Sequence, residues 1–293
     1  MTHDPRITSV ERHADGDLAM TTKTDTPPTS HRRQRLLRAR ALAAVAMLSG
    51  MSSFAQVPAG DQPSVTPYRP SVSTPAALSA PGWLEIEAGV LHARGSATTR
   101  RDSLPYTLKL AFSSDWGVRL GGDAWVRQTD EAGQRITGGG DSSVVLKRRF
   151  GVDDASAFGL EAGATLPTGR RGISSGKSDY SIGGIYSADV GQYHTDINLV
   201  FTRIGTVDPG TNRTQTLWAA SLSKSLTERW GVVGELSGTH QGGVDSTRQL
   251  LFAASYNVSK SLTLDAGLAR SLRSGAPDWS VFTGLTVLGP RLF

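Results

Sequence analysis

The sequence predicts an all-β protein, a single antiparallel transmembrane β-barrel of about twelve strands. Three observations predict it. From Trp83 onward, apolar and polar residues alternate with a period of two in segments of about ten residues. No apolar run in this region approaches the roughly 18 residues that a transmembrane helix needs. The connections between the segments are alternately short and long, as at the two rims of a bacterial outer-membrane barrel.

The strands follow from the alternation. In residues 248–258, for example, Leu250, Phe252, Ala254, Tyr256 and Val258 share one face. Each segment has about the 9–11 residues that a tilted membrane strand needs, and an even number of strands returns both termini to the same side. The predicted strands lie near residues 84–94, 104–113, 117–128, 140–149, 156–167, 179–190, 192–203, 213–223, 230–240, 247–257, 261–272 and 278–289.

The connections predict the orientation. Short turns such as "VGQ" and "NVSK" alternate with longer Gly/Ser-rich loops such as "TGRRGISSGKS", so the short turns are predicted to be periplasmic and the long loops external. Aromatic residues concentrate at both ends of the strands, as in the interfacial girdles of membrane barrels. The alternative is a soluble β-sandwich, which also has short, regularly spaced strands. The apolar faces hold many Ala and few Ile, which favours contact with lipid over a dense core.

The N-terminal region predicts a targeting signal followed by a linker. A basic stretch, "HRRQRLLRAR" (31–40), precedes the apolar "ALAAVAMLSGMSSF" (41–54) and small residues suited to cleavage. We therefore expect a signal peptide over residues 1–55, with Met20 as a candidate true start; the alternative is an amphipathic helix of the mature fold. Residues 56–82 contain six prolines, which disfavour a packed element, and are predicted to be a periplasmic linker. The barrel is predicted over 83–293.

Composition excludes several classes of function. There is no Cys, so disulfides and Cys-ligated zinc are excluded. Residues 1–55 hold eight of the 31 Lys/Arg and five of the 26 Asp/Glu, which leaves 23 basic and 21 acidic residues over the other 238. This near-equal balance lacks the excess of basic residues that is typical of nucleic-acid-binding proteins. The Gly-rich stretches do not precede a helix, and no cluster of acids and histidines has metal-ligand spacing, so neither a cofactor nor a metal is predicted.

A tetrapeptide with one acid recurs along the barrel: "IEAG" at 86–89, "LEAG" at 160–163 and "LDAG" at 264–267. The acids fall on the polar phase of strands that run from short turns toward long loops, and the polar phase of the second to fourth strands carries basic residues. These charges are predicted to line the lumen. They either fill and rigidify a narrow barrel or set up a transverse field across a water-filled or partly plugged pore. The predicted lumenal set is Glu87, Asp123, Glu161, Asp196, Glu235, Asp265, Lys109, Arg119, Arg127, Lys147 and Arg149.

Two stretches resemble a known family. "YRPSVSTPAALSAPGWLEIEAGV" (68–90) and "LPTGRRGISSGKSDYSIGGIYS" (166–187) are similar to segments of the outer-membrane transporter family named after the meta-pathway of phenol degradation. The resemblance implies an outer-membrane barrel that imports small hydrophobic or aromatic compounds. It also implies outer-membrane lipid and a small solute as partners. Near the C-terminus, Pro290 and Arg291 interrupt the alternation expected of the last strand. The terminal Phe293 is a common end for barrels that the outer-membrane assembly machinery recognises.

Two other classes of function compete with a channel. An outer-membrane hydrolase would need His with Ser and Asp at one rim, and His240, Asp245 and Ser246 share one predicted loop. Such loops arise often by chance, and spacing specifies no nucleophile, base and orienting group, so no catalytic residue is predicted. His194 is predicted to line the pore. A purely structural or adhesive barrel remains the third class, and conductance across a bilayer discriminates it from a channel.

Overall fold

The computed structural model describes residues 62–95, 99–273 and 277–293. The predicted signal peptide, its cleavage point and the first residues of the Pro-rich segment lie outside this range. The described residues form thirteen strands and no helix. They are β1 (Trp83–Arg94), β2 (Arg100–Ala111), β3 (Trp116–Thr129), β4 (Arg135–Gly138), β5 (Ser142–Gly151), β6 (Ser156–Leu166), β7 (Asp179–Val190), β8 (Tyr193–Arg203), β9 (Thr214–Ser225), β10 (Trp230–Gln241), β11 (Val244–Ser259), β12 (Leu262–Ser271) and β13 (Trp279–Arg291).

Twelve of these strands close into an antiparallel barrel. Each strand pairs with its neighbours in the chain, and β1 pairs with both β2 and β13, so no edge is left open. The thirteenth, β4, is a short strand in the loop after β3 and pairs only with the outer end of β3. The predicted fold class is therefore confirmed, with the twelve predicted strands in their predicted order. Closure matters because every strand then exchanges backbone hydrogen bonds on both sides, as a membrane requires.

The alternation separates an outward face from an inward face. On neighbouring positions of β11, Phe252 is 55% exposed and Leu251 only 3% exposed. Leu264 on β12 is likewise exposed, while the adjacent Asp265 is buried. Large apolar side chains thus cover the outside of the barrel, as expected of a surface in contact with membrane lipid. Among the described residues, no helix is long and apolar enough to cross a membrane.

Two irregularities modify the ladder. At the closing seam, Leu288 is opposite Glu85 and Arg291 is opposite Trp83, so three positions of β13 match two of β1. The bulge falls where Pro290 and Arg291 break the alternation, and the seam still closes. In β3, Asp123 is opposite Pro105 and Val126 is opposite Ser103. This second bulge inserts one residue into β3 and inverts its phase from there on, because side chains alternate with a period of two.

Candidate functional site

Part of the Pro-rich segment lies inside the barrel. The backbone N–H of Val65 donates to the carbonyl of Lys260 in a turn between β11 and β12 (2.8 Å). From there, residues 66–77, called here the lumenal segment, contact inward side chains of β1, β2, β5, β7, β8, β10 and β12. A single stretch of chain can reach strands around the whole barrel only from its interior. The expectation that residues 56–82 form a periplasmic linker is therefore wrong for this stretch.

The backbone N–H groups of the lumenal segment bind carboxylate and other side-chain oxygens of the barrel wall, where a strand would bind backbone carbonyls. Prolines at 67, 70 and 75 lack the N–H that a strand would donate, so the segment cannot pair as a strand. Its remaining N–H groups donate to the wall instead, which satisfies donors that would otherwise be costly to bury. The bonds are Thr66 N to Glu85 Oε2 (2.9 Å), Tyr68 N to Glu87 Oε1 (2.7 Å), Ser73 N to Glu235 Oε2 (2.8 Å), Thr74 N to Asn198 Oδ1 (2.8 Å) and Ala76 N to Ser187 Oγ (2.7 Å).

Tyr68 is the buried anchor of the lumenal segment. Its hydroxyl donates to the carbonyl of Ala77 (2.7 Å) and accepts from Lys147 Nζ (3.2 Å). Its ring lies between two ammonium groups, with Lys109 Nζ at 4.0 Å and Lys147 Nζ at 4.4 Å from the ring centroid. Cation–π contacts of this kind gain strength where water is excluded. Tyr68 therefore joins the segment to the basic wall of the barrel.

The charges around Tyr68 balance on the wall itself. Lys109 is ion-paired with Glu85 and with Glu87 (2.6 Å). Across the ring, Glu161 pairs with Arg119 (3.1 Å) and more loosely with Lys147 (3.6 Å). Three cations thus face three carboxylates, and Lys109, Lys147 and Glu85 are at most 3% exposed. Such pairing is what buried charges require.

Arg69 extends the lumenal segment along the wall from β1 across β13 to β12. Its Nε and one terminal guanidinium nitrogen each lie 3.0 Å from a carboxylate oxygen of Asp265, in a bidentate pair. The side chain crosses Gly89 and Gly284, where an added Cβ would lie 2.8 Å and 2.6 Å from guanidinium atoms. These glycines leave room for Arg69 to lie flat against the wall. That is the role of the glycine in "IEAG".

The other two tetrapeptides use their glycines in the same way. A Cβ at Gly163 of "LEAG" would lie 3.1 Å from Val145, and one at Gly267 of "LDAG" would lie 2.6 Å from the ring of Phe282. In each repeat, the acid reaches into the lumen and the glycine two residues further gives space to a side chain in the lumen. That side chain is Arg69 of the lumenal segment at Gly89, and it belongs to a neighbouring strand at Gly163 and Gly267. The repeat therefore packs the lumen.

The predicted lumenal set divides into four groups. Eight members lie at the level of the lumenal segment. Seven of them contact the segment or each other, namely Glu87, Glu161, Glu235, Asp265, Lys109, Arg119 and Lys147, and Asp196 is joined to it through Ser187, whose Oγ donates to Asp196 and accepts from Ala76 N. Asp123 pairs with Arg101 (2.7 Å) nearer the outer rim, away from the segment. Arg149 lines a cavity between the segment and the short turns, called here the periplasmic cavity. Arg127 lies on the outward face, because the bulge in β3 inverts its phase, and it binds Asp102 there (2.8 Å).

Several contributing residues were not singled out from the sequence. Glu85 shares the phase of Glu87 two residues earlier, so the alternation itself could have identified it. Asn198 and Ser187 are neutral side chains, like many others on the polar phase, and no charge pattern indicates them. Tyr68 and Arg69 lie in a stretch whose local composition indicates a linker. Their role depends on contacts that the local sequence does not encode.

The lumenal segment separates two regions of the lumen. On its periplasmic side lies a cavity of about 610 Å³, lined by His194, Ser223, Ser255 and Asn257 among other polar groups. His194 binds Asp189 (2.6 Å) and Asp196 (3.2 Å) there. Toward the long loops, the inward positions are mixed. Polar pairs such as Arg101–Asp123, Ser237–Gln249 and Gln215–Gln241 lie there among apolar side chains. The apolar ones include Leu91, Val126, Val145, Val200, Leu217, Leu251 and Phe282, according to the register of the strands.

The loop that suggested a hydrolase holds one contact of interest. His240 Nδ1 lies 2.9 Å from Ser246 Oγ at the outer ends of β10 and β11. A hydrogen bond between Ser and His is one of the two that join the three residues of a hydrolytic triad. No group of three or more His, Asp or Glu residues that could hold a metal ion occurs in the described part of the chain.

Comparison with known proteins connects this geometry to a family. Residues 150–288 match the model of the family described as "Putative MetA-pathway of phenol degradation". The resemblance to this family is confirmed over residues 150–288. No curated protein matches the chain.

A solved structure shows the same fold. An outer-membrane channel of Pseudomonas putida F1 superimposes with a TM-score of 0.60 at 12% identity, and the match covers 80% of this chain and all of that one. A porin called KdgM, solved with disordered oligogalacturonate, matches with a TM-score of 0.49 at 10% identity over 69% of this chain and 98% of its own. The closed barrel and its apolar outer surface are those of a protein of the bacterial outer membrane.

Proposed function

We propose that this chain is a passive outer-membrane channel for small, hydrophobic or aromatic solutes, and that the lumenal segment controls the passage. The observation that carries the proposal is the arrangement of the lumen. A closed barrel has apolar side chains among polar ones in its outer half, and a segment of its own chain occupies the level between that half and the periplasmic cavity. A solute that enters from outside meets the segment before it reaches the cavity.

The apolar side chains of the outer half support the class of solute. Burial of apolar surface is favourable by about 25 cal/mol per Å², so side chains such as Leu217, Leu251 and Phe282 would retain a hydrophobic or aromatic molecule better than a sugar. The family name, which refers to phenol degradation, agrees with an aromatic solute. The polar cavity beyond the segment would then release the solute toward the periplasm.

The contacts of the lumenal segment support a reversible block. Each hydrogen bond contributes a net stabilisation of about 1 kcal/mol, or about 1.5–3 kcal/mol where the acceptor is a carboxylate, so the bonds can break one at a time while the barrel stays closed. The charged wall around Tyr68 stays balanced without the segment, since Lys109 pairs with Glu85 and Glu87, and Arg119 with Glu161. Among the described residues, Arg69–Asp265 is the one ion pair that joins the segment to the wall. Asp265 is therefore the position at which the block is most easily weakened.

Asp265→Asn in the full-length chain tests the proposal. We expect a larger single-channel conductance in planar bilayers and faster phenol uptake in a strain that lacks the native gene, because Arg69 loses its bidentate anion. Asp102→Asn is the matched control, since Asp102 pairs with Arg127 on the outward face of the barrel, outside the lumen, and it should leave both rates unchanged. Equal rates in all three proteins would refute control by the segment. A barrel that passes neither ions nor phenol in any form would be a structural protein instead.

The proposal gives no catalytic role to His240 and Ser246. Their contact lies at the exposed outer ends of β10 and β11, and no acid among the described residues is seen to orient the histidine ring. Ser246→Ala should leave phenol uptake unchanged. Hydrolysis of an ester probe by the purified wild type that Ser246→Ala abolishes would favour the hydrolase.

The proposal includes the processing, assembly and orientation of the chain. Residues 1–55 would be removed as a signal peptide, so the mature protein would begin at Gln56, and Phe293 would present the C-terminus to the assembly machinery. Tags inserted at Gly172 and Gly243 should be labelled on intact cells, and a tag at Asp154 should not. Labelling at Asp154 alone would invert the orientation.

A further inference from the structure

Three arginines form a row on the outward face at the outer ends of neighbouring strands. Arg270 of β12 is opposite Trp279 of β13, Trp279 is opposite Arg94 of β1, and Arg94 is opposite Arg100 of β2. All three arginines, called here the rim arginines, are exposed. The closed ladder places them side by side, although they are far apart in the sequence.

The rim arginines stand at the upper edge of the apolar outer surface. Two residues further toward the periplasm, the outward positions of β12, β13 and β1 hold Leu268, Val281 and His92. Leu268 is 51% and Val281 44% exposed, as lipid-facing side chains are. The ring of His92 packs against Trp279, with 5.3 Å between ring centroids. Trp and Arg at the end of an apolar band are typical of the boundary between hydrocarbon and headgroups.

The nearby acids do not account for the row. Arg94 and Arg100 lie directly opposite each other, and like charges in that arrangement destabilise a sheet. The carboxylate of Asp102 already binds His92 (2.5 Å) and Arg127 (2.8 Å). Asp130 and Glu131 line a shallow cavity together with Arg100, but Arg94 and Arg270 do not belong to its lining. The charge on either side of Trp279 therefore favours an external anion.

We propose that the rim arginines bind the phosphate of an anionic membrane lipid, with Arg94 and Arg270 on either side of Trp279 as the main contacts. A guanidinium group offers parallel donors that match the oxygens of a phosphate. An anion between Arg94 and Arg100 would offset their mutual repulsion. The acyl chains of the lipid would lie along Leu268 and Val281. That apolar continuation favours a lipid over free phosphate.

The full-length protein in a neutral detergent tests the assignment. Native mass spectrometry would compare phosphatidic acid with the diacylglycerol that has the same acyl chains, and only the former should bind tightly. Arg94→Ala with Arg270→Ala should weaken binding about 30-fold, at roughly fivefold for each arginine. Arg203→Ala is the matched control, because Arg203 is outward at the outer end of β8 but has Tyr180 and Thr214 as its neighbours. It should bind as the wild type does.

Other outcomes would overturn the proposal. Equal binding by the double variant and the wild type, or an equal loss in Arg203→Ala, would show that the row has no special role. Equal binding of diacylglycerol would leave only apolar contact. Displacement by millimolar inorganic phosphate would indicate a free-anion site. Arg94→Lys with Arg270→Lys, checked for folding by heat-modifiable gel mobility, should bind more tightly than the alanine pair because it keeps the charge.

Discussion

The two halves of the lumen are built by the same strands on the same alternating phase, yet they differ in chemistry. In the periplasmic half, inward positions carry carboxylates, ammonium groups and amides, and these bind the lumenal segment. In the outer half, the same phase carries apolar side chains such as Val200, Leu251 and Phe282, neutral polar ones, and the ion pair between Arg101 and Asp123. The difference shows that height along a strand decides the role of an inward residue. Charge is concentrated where a second piece of chain is present to be bound.

The largest effect should come from the periplasmic half. Lys109→Met would leave Glu85 and Glu87 without their shared cation, and all three side chains are at most 3% exposed. Breaking such a buried pair costs about 3–5 kcal/mol. The temperature at which the folded band is lost in heat-modifiable electrophoresis should fall. Lys260→Met, in an exposed turn, is the control and should leave that temperature unchanged.

A smaller effect separates the inside of the barrel from the outside. Phe252→Arg places a charge among lipid-facing side chains and should cost about 2–4 kcal/mol if it lies near the midplane of the bilayer. Ser255→Arg, on the same strand, faces the periplasmic cavity and should cost much less. Equal losses on the two faces, measured by folding in lipid vesicles, would contradict a membrane-facing outer surface.

The smallest effect on stability, and the sharpest on selectivity, concerns the acids of the segment level. Changing Glu161 and Glu235 to Gln together removes two negative charges beside Arg119, Lys147 and Ser73. The reversal potential should shift toward anion preference, most strongly at low salt, where screening is weakest. A fall in thermal stability with unchanged selectivity would make these acids purely structural. If neither quantity moves, they do not act at the level of the segment.

The sequence by itself determined the barrel. Period-two alternation, strand length and the alternation of short and long connections are local properties, so twelve strands and their order could be predicted from them. The inward phase of Glu87, Lys109, Lys147, Glu235 and Asp265 followed for the same reason. A local rule fails where the ladder itself is irregular. One inserted residue in β3, opposite the region of Pro105, turned Arg127 outward, and nothing in its own neighbourhood of the sequence indicates that inversion.

Only the tertiary structure decided where the Pro-rich segment lies. Prolines prevent it from pairing as a strand, which local composition does show, but composition does not say which acceptors its remaining N–H groups will find. Ser73 reaches Glu235 across 162 positions, and Arg69 reaches Asp265 across 196. Such partners meet only after the barrel has closed, because closure alone brings the inward side chains of β1, β8, β10 and β12 around one axis. The physical reason is that the lumen is made by all the strands together and by no stretch of sequence alone.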